Sequence, residues 1–103
     1  MKIANKWEVD EKDVYTIVTT AGEYVGRLEF TESNIVRVKN PMLLMTDPES
    51  GTQQFIPTIS MTGTHEPEYV DFNAAAVIAI TETTDGYAKE YVRATSRLIL
   101  PNA

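Results

Sequence analysis

Between Val14 and Pro41 the chain carries three runs rich in β-branched and aromatic residues: Val14–Thr19, Tyr24–Phe30, and a third starting at Ile35. The turns between them are short and polar, Thr20-Ala21-Gly22-Glu23 and Thr31-Glu32-Ser33-Asn34. Such runs suit a pleated, half-buried surface, and turns this short predict an antiparallel meander. Alternation along the second run puts Tyr24, Gly26, Leu28 and Phe30 on one face and Val25, Arg27 and Glu29 on the other. A glycine on the inward face weakens a flat strand but permits sharp coiling or close backbone approach. Gly26 therefore predicts a bend, and the meander reads as the front half of a small barrel. Gly22 can supply positive φ in the first turn, and Asn40-Pro41 should break or bulge the third strand.

Beyond Pro41, Met42-Leu43-Leu44-Met45 is apolar on both faces. A chain of 103 residues holds one modest core, so one face of this segment is expected to meet another subunit. A fourth run is expected over about Gln53 to Met61, carrying Phe55, Ile56, Ile59 and Met61, with Pro57 marking an edge or bulge. Thr46–Thr52 and Gly63–Pro67 read as loops. Tyr69–Phe72 and Val77–Ile80 read as short strands around the turn Asn73–Ala76. A helix starting in the alanine run is the alternative, disfavoured by the β-branched residues that follow at once. The period then changes. Thr84 or Asp85 can cap a helix reaching about Ser96, with Tyr87, Ala88, Tyr91, Val92 and Thr95 on one face and Asp85 with Lys89 as an i,i+4 pair. Leu98-Ile99-Leu100 would pack back as an extra strand or insert into a neighbour. The chain reads as a single domain: barrel about 13–82, helix about 84–96, tail 97–103.

Composition limits function. The absence of cysteine excludes disulfide scaffolding and thiol chemistry, and one histidine, His65, is too few for a multi-histidine metal site. His65 sits in Gly-Thr-His-Glu-Pro-Glu, a loop by composition, and its ordinary role is a solvated surface residue. Glu66 and Glu68 lack a third oxygen donor at a spacing suited to calcium or magnesium. With no phosphate-cradling loop or nucleophile elbow, no catalytic residue, metal or cofactor is assigned, and enzyme is the least supported class. No apolar run approaches a membrane span of about 20 residues, and the N-terminus lacks a signal-peptide core. The chain reads as cytosolic. Its formal charge of −6 would repel phosphate on average, so nucleic-acid binding requires a local basic patch. Arg37 and Lys39 point the same way on the third strand, with Arg27 on its neighbour. They suit phosphate contacts or, more blandly, a solvated sheet face blunted against aggregation. Trp7 reads as a core or interface anchor.

The segment Gly26-Arg-Leu-Glu-Phe-Thr-Glu32-Ser-Asn-Ile-Val, preceded by a turn carrying Gly22, resembles the first motif of the Sm/LSm family. Phe72-Asn-Ala-Ala-Ala-Val-Ile-Ala-Ile80 resembles the second. Together they cover about two thirds of the chain, and the insertion before Tyr69 and the C-terminal helix are most similar to small Sm-like proteins attributed to phages, including cyanophages. The resemblance implies a strongly bent, five-stranded, SH3-like open barrel with a C-terminal helix. It also implies a homo-oligomeric ring, a pentamer first, with hexamer or heptamer as alternatives, and residence in the host cytoplasm if phage-encoded. Exposed apolar residues agree with an interface through Met42, Leu44, Phe55, Ile56, Ile59, Val77 and Ile78. RNA binding in the pore is the family's further implication, and here Asn34, Val36 and Asn73-Ala74 stand where the family has a stacking ring, a base-reading amide and an arginine. Asn34 and Asn73 could still hydrogen-bond a ligand at the rim, with Arg27, Arg37 and Lys39 as backbone contacts. The other reading is a ring-shaped protein-interaction or assembly module that has lost RNA binding.

Overall fold

A computed structural model describes residues 13–99, with side chains described to Ser96; Trp7, most of the acidic lead-in and Leu100 lie outside them. Strands β1 (Val14–Thr19), β2 (Gly22–Thr31), β3 (Ile35–Thr46), β4 (Gln53–Ile56), β5 (Tyr69–Asn73) and β6 (Val77–Glu82) precede one helix, α1 (Asp85–Ile99). They form an open antiparallel sheet in the order β4-β3-β2-β1-β6, and β5 pairs the other half of the long strand β3. The first hairpin is tighter than expected: Thr19 pairs Gly22, leaving Thr20 and Ala21 as the loop. Gly22 takes φ 150° there, a region that side chains rarely enter.

The predicted defect at Asn40-Pro41 is a bulge rather than a break, because β3 runs through it. Val25 pairs Met42 and Arg27 pairs Lys39, so Asn40 and Pro41 together oppose Gly26. Asn40 adopts φ 47°, which asparagine tolerates better than most residues, and its N–H donates to the Glu68 carbonyl at 2.7 Å. Gly26 is required by space, not by φ. A Cβ there would overlap Val38 Cγ1 and lie 3.1 Å from the Lys39 carbonyl and 3.2 Å from Pro41 Cα. The extra residue and the missing side chain bend both strands at one point.

The bend divides the apolar residues into two clusters. On the inner face Ile17, Tyr24, Val36 and Val38 are buried, and Leu28, Phe72, Val77 and Ile80 pack on them. Residues from β5 and β6, at opposite ends of the sheet, reach this one cluster, so the sheet curls toward itself. On the outer face Val14, Val25 and Met42 are buried against Ala88 and Tyr91 of α1.

That second cluster corrects the reading of Met42, the first residue of the segment Met42–Met45. The segment does have two apolar faces, but the second cover at Met42 comes from the chain's own helix. Four of the five residues of the apolar stripe predicted for α1 lie on the face that docks: Ala88, Tyr91 and Thr95 are buried and Val92 is half-buried, while Tyr87 is 41% exposed. Tyr91 donates its hydroxyl to the Asn40 carbonyl at 2.7 Å, so the helix is fastened to a carbonyl at the bulge. The edge of the Tyr91 ring meets Phe55 with centroids 6.2 Å apart. The helix runs through Leu98 to Ile99, past the expected end at Ser96, so those two residues continue α1 rather than start a strand. Among the described residues its ion pair is Glu90–Arg93, 2.8 Å, not the expected Asp85–Lys89. The fourth run is also shorter than expected. Pro57 ends β4 at Ile56, and Ile59 and Met61 fall in the irregular segment that follows. The alanine run forms only one 3-10 turn, Ala74–Ala76, between two strands.

Candidate nucleic-acid interface and sheet edges

Asn34 and Asn73 are far apart in sequence, but antiparallel pairing of β5 with β3 sets Asn73 opposite Ile35. The Asn34 carbonyl accepts from the Ala74 N–H at 2.9 Å. The two loops therefore form one exposed rim. The Asn73 side-chain oxygen accepts from the Ala75 N–H at 2.9 Å, capping the 3-10 turn and leaving its NH2 donors for a ligand. This rim can hydrogen-bond, but it brings no positive charge.

The basic residues lie elsewhere. Arg37, Lys39 and Arg27 occupy the outer face of β3 and β2, where Arg27 and Lys39 are directly opposite each other. Arg37 makes a bidentate pair with Asp71 across β3 and β5, Nε to Oδ1 at 2.6 Å and Nη2 to Oδ2 at 2.9 Å. Those bonds raise the Arg37 pKa above its ordinary value and lower that of Asp71. The guanidinium lies 4.9 Å from the Phe30 ring centroid and 6.0 Å from that of Tyr69, within cation–π range. Arg27 is close enough to Tyr91 for its charge to oppose the larger effect of burial, which pushes the Tyr91 phenol well above the usual tyrosine value.

Phe30, Tyr69 and Asp71 complete this cluster and were not among the candidates. Alternation placed Phe30 inward with Leu28. A register shift between Leu28 and Phe30 inserts Glu29 as an extra residue and turns Phe30 to the outer face, opposite Arg37. Asp71 could have been found only by knowing the β3–β5 register, since nothing local pairs it with Arg37.

The residues assigned to an interface are spread across the molecule. Met42 is 2% exposed beneath α1, so a neighbour could reach it only by displacing the helix. Leu44 and Phe55 are half-buried and line a cleft of about 370 Å³ between β4 and α1, with Gln53, Tyr87, Glu90 and Arg93. Ile56 is half-buried, and Ile59 and Val77 pack on the inner cluster. Ile78 is different: it is 68% exposed, on a strand whose one pairing is with β1. A register shift in β6 lets Ile78 and Ala79 both face solvent. On the other side of the sheet β5 and β4 each pair only β3 among the described residues. Thus β5 and β6, separated by one 3-10 turn, each keep an edge without a strand partner among the described residues. His65 stands in the irregular segment after β4, its Nδ1 2.9 Å from Thr58 Oγ1. No described helix is long and apolar enough to cross a membrane. A scan of protein-family models and a search of curated proteins return no match to this chain.

Proposed function

We propose that the chain is an Sm-like subunit of a homo-oligomeric ring that engages RNA or another single-stranded nucleic acid. The observation that carries the ring is the placement of two of the open edges: β5 and β6 each pair a single strand among the described residues and lie on either side of one short turn. A strand edge left bare is a template for another chain. Because the two edges differ, the contact between copies is head-to-tail, and a head-to-tail contact that closes gives a ring. The curled open sheet of β1, β2, β3, β5 and β6 and the 3-10 turn support an SH3-like barrel of the Sm type. The resemblance makes a pentamer the first expectation, with hexamer or heptamer the other outcomes.

The nucleic-acid reading is supported by the meeting of Asn34 and Asn73 at one rim. A second reading, a ring that serves protein assembly without RNA, is favoured by the Arg37–Asp71 pair and the charge of −6. Native mass tests the ring: a monomer at every concentration defeats both readings. Titration of short RNAs at low salt, where electrostatic binding is strongest, separates them. Binding weakened by Asn34→Ala or Asn73→Ala supports the first reading, and no binding at any salt leaves the second.

A further inference from the structure

The geometry points to the half of the outer sheet face that no described element covers, a shelf made by Phe30, Arg37, Tyr69 and Lys39, as a platform on which single-stranded nucleic acid stacks and pairs its phosphates. The inference rests on the nucleic-acid reading above and adds to the rim asparagines a second contact surface on the sheet.

Three features mark this face. Its aromatic rings are not buried: Phe30 is 36% and Tyr69 43% exposed, and every base offers a π-face to such rings whatever its sequence. Its arginine is held ready. Asp71 uses two of the five N–H donors of the guanidinium and fixes its position beside Phe30 and Tyr69, so little side-chain freedom is left to lose on binding. Its charge is concentrated: Arg27, Arg37 and Lys39 share the face, while Lys89 and Arg93 are the other cations with described side chains. Asp71 and Glu29 are the carboxylates that act on Arg37, so Lys39 is the residue assigned to phosphate. The opposite half of this face is occupied by α1, which confines a ligand to the shelf.

The test is fluorescence anisotropy of the full chain with labelled oligo-dT and oligo-rU about 15 nucleotides long, at low and moderate salt. Binding should weaken about ten-fold with Phe30→Ala or Tyr69→Ala, while Tyr69→Phe, which keeps the ring, should bind as the parent does. Lys39→Glu should weaken binding and flatten its salt dependence by about one phosphate contact. In an Asn34→Ala, Asn73→Ala background, where the rim contact is gone, the binding that remains should still fall with Phe30→Ala and with Lys39→Glu. Circular dichroism and native mass on each variant check that fold and assembly persist. Binding lost with the asparagines but unmoved by Phe30 and Tyr69 overturns the platform and leaves the rim reading standing. No binding of either strand at low salt overturns both. A fall in native mass on Tyr69→Ala overturns the platform by assigning the face to contact between copies.

Discussion

The two halves of β3 share one strand and meet opposite fates. On the outer face beyond the bulge, Met42 is covered by α1 and buried with Val14, Val25 and Tyr91. Before the bulge, Arg37 and Lys39 are flanked by half-exposed aromatics and no described helix covers them. The difference follows from the side chains that alternation sends outward: apolar ones next to a complementary helical stripe, charged ones where no apolar stripe can dock. One half is built for stability and the other is left for contact. Substitutions should therefore act on different observables, and four of them test the division in order of expected size.

The largest effect belongs to Tyr91→Ala. Removing a buried ring that joins helix, bulge and Phe55 should cost about 3–5 kcal/mol, a large fraction of the roughly 5–15 kcal/mol that holds an ordinary domain folded. Urea denaturation measures it, and a loss below about 1 kcal/mol would mean that α1 is not the cover of this half. Next comes Gly26→Ala, expected to cost about 1–3 kcal/mol. Val38 is fully buried and β-branched, and the other close atoms are backbone, so nothing near the new methyl can yield cheaply. A neutral result would show that the bend is not set by contact between β2 and β3.

Much of this division is legible in the sequence, but unevenly. Gly26, Asn40-Pro41 and the stripe on α1 follow from alternation, proline chemistry and helical spacing, all of which are local. What covers Met42 is not local: the apolar segment and the apolar helix were both visible, but their docking needs the three-dimensional path of the chain. The shelf was hidden for a sharper reason. One inserted residue at Glu29 reverses the face of Phe30, and period-two reasoning cannot see a bulge that no glycine or proline announces. The rim was half visible, since both loops read as turns while their adjacency depends on the β3–β5 register.

Tyr91→Phe sharpens the comparison within the buried half. It keeps the ring and removes the hydroxyl that donates to the Asn40 carbonyl, so about 1 kcal/mol should be lost at neutral pH. The variant should also change behaviour in alkali. The folded pKa of Tyr91 is raised by burial, so its contribution is fully present below the unfolded value near pH 10 and is lost as pH rises beyond it. The parent chain should therefore lose stability above about pH 10 more steeply than Tyr91→Phe. Equal alkaline slopes in urea titrations would show that this phenol is not held from solvent.

The smallest effect on stability should come from the exposed half, through Asp71→Asn. The Asp71 pKa is depressed by Arg37, so its contribution is present above the unfolded value near 3.9 and is lost as pH falls through the lower folded value. Both partners are exposed, where such pairs contribute little and salt screens them. Urea midpoints of parent and variant should therefore agree within error at neutral pH and moderate salt, and the small gap at low salt should close toward pH 3 as the carboxylate protonates. The guanidinium, however, loses the carboxylate that fixes its position, so oligonucleotide binding should change while the unfolding curve does not. If Asp71→Asn instead lowers the urea midpoint as much as Gly26→Ala, the charged half of β3 is part of the structural core, and the contrast between the two halves fails.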